Sequence, residues 1–169
     1  MTGDVDLRTA DHWWWRPGWA PGRAFYTWHC TFRDQPDVHR LAQVYRSALE
    51  GLPGLDLVPD RWLHLTVQGL GFTDEVSATD VEAIVQESRA RLALVPAFEA
   101  RLDRPVFTPE AIRWDPEGPV DRVRQAIRAA IASVWPVVPE PADGFVPHVT
   151  IAYASQDGPA GPTLSALSA

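Results

Sequence analysis

The chain has 169 residues, 46% of them hydrophobic and 22% charged, with a net charge of −7. That length supports one domain-sized core, and the acidic balance argues against a duplex DNA binder held by phosphate contacts. A single cysteine, Cys30, excludes an internal disulfide and a cysteine-ligated zinc site. No apolar run approaches the roughly 18 residues of a membrane span and no signal peptide opens the chain, so a cytoplasmic monomer is expected. All 15 basic residues are Arg, a side chain whose planar fork suits phosphate, though genome composition is the better reading of the bias.

The first 23 residues form a tryptophan-rich stretch, "DHWWWRPGWAPGR" at its heart, expected to pack on the domain as an ordered arm. Trp13, Trp14 and Trp15 are expected to be partly buried, pinning the arm, with stacking on a nucleobase as the alternative. "AFYTWHCTF" (Ala24 to Phe32), aromatic and β-branched, predicts a strand. A helix comes next, with Val38, Leu41, Val44, Tyr45 and Leu49 at helical spacing, Asp37 as a cap and Gly51 as a stop. After Pro53-Gly54 come a short strand near Leu55 to Val58 and a longer one holding His64. Ser77 to Val95 predicts the second helix, with Val81, Ile84, Val85 and Leu92 on one face. Two strands around a turn near Thr108 to Glu110 precede a third helix with Val120, Val123, Ile127 and Ile131 inward. A loop, "EPADGF", then leads to a strand holding His148. Residues 156–169 are small and Gly-rich, and are expected to be a flexible tail. This order predicts an α+β fold with mostly antiparallel sheet.

"HLTV" at His64 returns 84 positions later as "HVTI" at His148. Strand alternation puts His64, Thr66 and Gln68 on one face, and His148, Thr150 and Ala152 on one face. Facing each other, two such strands surround a cleft with two imidazoles and two hydroxyls. That set suits phosphodiester chemistry: one neutral His takes a proton from the attacking oxygen and a charged one protonates the leaving oxygen. The Thr hydroxyls donate to the non-bridging phosphoryl oxygens as charge builds there. For a single H-x-T, an ordinary histidine on a half-exposed strand is the better reading; two copies on two strands weigh against it.

A third copy, "HCTF" at His29, places Thr27, His29 and Thr31 on the polar face of the first strand, as a substrate contact or a surface histidine. Gln68 is a candidate for a phosphate or base edge, and Trp62, two places before His64, for stacking. Arg61 and Arg104 are weaker candidates for a terminal phosphate, and Cys30 reads as a core thiol. A metal site of His29, His64 and His148 is disfavoured, because no H-x-H or H-E-x-x-H spacing is present.

The twin motifs, their separation and the order of elements resemble the two-histidine phosphoesterase superfamily, specifically the 2′-5′ RNA ligase-like proteins. "DHWWWRPGW", "FYTWHCTF", "GFTDEVS" and "GFVPHVTIAY" are similar to one bacterial subgroup, and the likeness runs from about Asp11 to Tyr153. The resemblance implies two pseudo-symmetric lobes, helices outside, enclosing a central cleft within one bilobal domain over residues 1–169. It implies hydrolysis or formation of 2′,3′-cyclic or 2′-5′-linked phosphodiesters in nucleotides or RNA ends, without metal or cofactor. His64 and His148 are then catalytic, Thr66 and Thr150 bind the phosphate, and His29 lines the cleft. The competing reading is a module that binds a nucleotide or RNA end without turnover.

Overall fold

The computed structural model describes residues 7–168. A short β1 (Arg8–Thr9) precedes β2 (Phe25–Thr31), α1 (Pro36–Leu49) and β3 (Leu55–Leu57). One 3-10 turn, Asp60–Trp62, leads into β4 (His64–Phe72), followed by α2 (Ala78–Leu92), β5 (Val106–Thr108) and β6 (Ala111–Trp114). Then come α3 (Asp121–Ala132), β7 (Val149–Ala154), β8 (Gly158–Pro159) and α4 (Gly161–Ser168). Local chemistry accounts for the helix starts. Pro36 opens α1 where its missing N–H costs nothing, with Asp37 in the first turn, and the Ser77 hydroxyl accepts from the Asp80 amide at the start of α2.

The fold is α+β, as the element order predicts. The main sheet runs β2-β4-β7-β6-β5, with β3 added to β7, and every pairing is antiparallel. Helix α3 lies over β4, α1 over β3 and β7, and α2 over α3. Between them Leu65, Val67, Val149 and Ile151 of the central strands meet Leu49, Ile127, Ile131 and Trp114 in one core. The two halves of the sheet join at a single register pair, Leu65 opposite Val149. Beyond it β3 takes the place of β4 alongside β7, pairing Leu57 with Ala152 and Asp56 with Tyr153. The central strands therefore meet only within the two histidine motifs and part on either side of that pair.

Two expectations need correction. Residues 156–168 do not form a flexible tail: β8 pairs with β1, α4 packs on α1, and Ala160 and Thr163 are buried. The small side chains that look featureless in sequence are what let this segment lie close to its neighbours. The arm is tied down by its backbone, with the Asp11 amide donating to Asp157 and the His12 amide to the Ala154 carbonyl, both at 2.8 Å. Its indoles are not buried, however, being 57%, 50% and 66% exposed at Trp13, Trp14 and Trp15. Two of them are fixed by ring nitrogens instead, Trp13 Nε1 donating to Asp56 and Trp14 Nε1 to Glu110. Residues 1–6 of the expected arm and residue 169 of the tail lie outside the described residues.

Candidate active site

The join between the halves is also where the motifs meet. With Leu65 opposite Val149 in an antiparallel pair, one step either way sets His64 opposite Thr150 and Thr66 opposite His148. Each histidine thus faces the other motif's threonine on the face away from the core. Directly opposed Cβ atoms lie about 5 Å apart and diagonal ones about 7–8 Å, so the register sets the two histidines diagonally across the join. Both rings are held in the same way. Nδ1 of His64 lies 2.7 Å from the Trp62 carbonyl, and Nδ1 of His148 lies 2.9 Å from the Val146 carbonyl. A carbonyl only accepts, so Nδ1 carries hydrogen in both, and each Nε2 is left to take or give a proton.

The symmetry extends one residue past each threonine. Against β2, strand β4 carries an extra residue between Thr66 and Gln68; against β6, strand β7 carries one between Thr150 and Ala152. The last residue of each motif, Val67 and Ile151, is therefore a bulge, which breaks the period of two and re-aims the side chains after it. This relocates Gln68. It is fully buried on the helix side, its amide nitrogen donating to the Pro139 carbonyl at 2.8 Å and its oxygen accepting from Arg128 at 3.1 Å. The structure does not bring Gln68 to the cleft. In its mirror position the bulge turns Ala152 into the core and Tyr153 towards His64, with which it lines a common cavity.

Sequence reasoning missed the groups that aim the histidines. Arg46 of α1 donates to the Val58 carbonyl at 2.8 Å and to Asp60 at 2.5 Å, holding the segment that runs into His64. Arg124 of α3 donates to the Ala142 and Pro141 carbonyls at 2.8 and 2.9 Å, holding the segment that runs into His148. A signal was there: Arg124 sits among Val120, Ile127 and Ile131, and Arg46 between Ala42 and Leu49, each at an inward helical position. Replacing Arg124 by Ala is expected to cost on the order of 3 kcal/mol, because hydrogen bonds to a charged, buried donor are lost. A shift in the urea midpoint with unchanged slope would measure it.

A family model described as the 2′-5′ RNA ligase superfamily matches residues 32–169. The chain belongs to the 2′-5′ RNA ligase superfamily. Two solved structures resemble it. TT0787 of Thermus thermophilus has 24% identity and a TM-score of 0.64, covering 81% of this chain and 76% of its own. The conserved protein of unknown function ATU0111 from Agrobacterium tumefaciens has 18% identity and a TM-score of 0.55, over 83% and 68%. At these identities the likeness is one of fold. No curated protein matches.

Within this member of the superfamily, the strands flanking the motifs bring two more residues to the same face. His29 on β2 pairs with Thr66, and its ring lies 4.2 Å from that of His64 between centroids. Partial burial, then the charge of His64, lowers its pKa. Arg113 on β6 pairs with Thr150 in the mirror position, its Nε 3.0 Å from Asp115. Arg113 shares a cavity of about 390 Å³ with Thr66, His148 and Arg124. Trp62, 62% exposed, lines with His64 and Tyr153 a separate cavity. Arg61 and Arg104 are exposed and line neither cavity. Cys30 packs against the core as a thiol whose pKa is raised by burial. Among the described residues no three His, Cys, Asp or Glu side chains are grouped to hold a metal ion.

Proposed function

We propose that the chain is a phosphodiesterase acting on 2′,3′-cyclic or 2′-5′-linked nucleotides and RNA ends by paired-histidine acid–base catalysis, with ligation as the reverse reaction. One observation carries this reading: each histidine stands opposite the other's threonine, with Nδ1–H tied to a carbonyl and Nε2 without a partner among the described residues. The substrate phosphate lies between the two rings. One neutral imidazole accepts the proton of the attacking water as its oxygen bonds to phosphorus. The P–O bond to the sugar then breaks, and the other ring, as imidazolium, gives its proton to that oxygen. Thr66 and Thr150 donate to the non-bridging oxygens, where negative charge accumulates. Arg113 adds a fixed positive charge beside Thr150, and His29 and Trp62 contact the substrate at the cleft's rim. The residues supply acid, base and charge stabilisation themselves, so no cofactor is invoked, and the partner this reading implies is a small nucleotide or RNA end.

The test is turnover of a panel of 2′,3′-cyclic nucleotides and 2′-5′-linked dinucleotides with EDTA present, followed chromatographically. Hydrolysis with a bell-shaped pH profile is expected, since one histidine must be neutral while the other is charged. A rate rising without a maximum from about pH 5 to about pH 9 counts against paired acid–base catalysis. Binding without turnover across the whole panel makes the site a phosphate clamp.

A further inference from the structure

We infer that the tryptophan-rich arm supplies one wall of a nucleobase slot beside His64, so that the substrate is held by its base as well as its phosphate. Only the position of the phosphate rests on the proposed phosphodiesterase reading. A cavity of about 210 Å³ is lined by Trp13 of the arm, Trp62, Tyr153, Asp56 and His64. Its two indoles are among the most exposed large side chains of the protein, at 57% and 62%. Flat apolar rings left facing water beside a polar site are the surface a heterocycle covers.

The slot is built, not incidental. The Trp13 ring nitrogen donates to Asp56 at 2.7 Å, and the ring lies 5.3 Å from Tyr153 between centroids. Tyr153 is in turn stacked on His12 at 4.1 Å. On the other side, the backbone of Trp62 supplies the carbonyl that orients His64, so indole and imidazole are fixed by the same residue. A base stacked here leaves its ribose next to His64. The charges restrict what else fits. Asp56 lies in the slot and Asp157 beside the arm, while Arg16 of the arm is paired to Glu110 at 2.9 Å. This wall accepts N–H donors from a base and repels further phosphates, so the slot takes a mononucleotide or the terminal base of a short oligonucleotide.

Calorimetric titration tests the slot with adenosine 2′-monophosphate and, as a base-free probe, glycerol 2-phosphate. Wild type is expected to bind the nucleotide at least about tenfold more tightly. Trp13→Ala and Trp62→Ala should each weaken nucleotide binding by about tenfold or more, as loss of one stacked base contact does. Both should leave glycerol 2-phosphate within about twofold. Trp13→Phe, which keeps a flat ring, should recover most of the loss, separating stacking from a folding defect. Equal affinity for the two probes in wild type overturns the slot, as does nucleotide binding indifferent to both tryptophans. Tryptophan-dependent binding without turnover of any cyclic nucleotide leaves the slot standing and removes only the catalytic reading. Turnover unaffected by either substitution does the reverse.

Discussion

His64→Ala and His148→Ala are each expected to lower turnover of 2′,3′-cyclic nucleotides by at least about a hundredfold, the lower end of what a positioned acid or base contributes. The double variant should lose little more than the worse single one. In the proposed mechanism the two rings act on one proton cycle, and once either transfer fails the other has nothing to complete. Neither change should unfold the protein, because each imidazole makes a single hydrogen bond to a carbonyl at the strand's start, worth about 1 kcal/mol net. His29→Ala provides the contrast. Its ring touches His64 but carries no free partner motif, so a loss of about tenfold or less is expected. Product chromatography beside circular dichroism of the variants checks all three. Retention of more than about a tenth of wild-type turnover in either motif variant would sink the paired mechanism.

How much of this was legible beforehand depends on the range of each interaction. Helices α1, α2 and α3 declare themselves through apolar residues spaced three and four apart, which is local information. The two H-x-T motifs are local as well, and so is the face they share for three residues. Alternation fails at the fourth residue because Val67 and Ile151 are bulges, and a bulge is a mismatch between two strands that neither strand's sequence contains. Gln68 was lost to the core, and Tyr153 gained by the cleft, for that one reason. Arg113 depends on the register between β6 and β7, fixed by strands some forty residues apart in the chain. The terminal segment misled because its buried Ala160 and Thr163 carry little apolar signal, and its packing on α1 is a contact across more than a hundred residues of chain.

The threonines should separate by exposure. Thr150 is 7% exposed and stands opposite both His64 and Arg113, whereas Thr66 is open to solvent. The hydroxyls of Thr9, Thr27 and Thr108 are hydrogen-bonded within the protein, while those of Thr66 and Thr150 have no partner among the described residues. The Thr150 hydroxyl makes no bond to any described residue for the fold to lose, so Thr150→Val, which keeps the shape, should fold and melt as wild type does. Its effect should fall on kcat. A preorganised donor removed from a site sheltered from water costs about 10² to 10³ in rate, with KM little changed if the bond forms as charge develops on the phosphoryl oxygens. At Thr66 water can take over the donor's place, and Thr66→Val should cost about tenfold or less. If the two variants lose equal activity, or if Thr150→Val raises KM and spares kcat, Thr150 holds the ground-state phosphate and the selective stabilisation assigned to it is wrong.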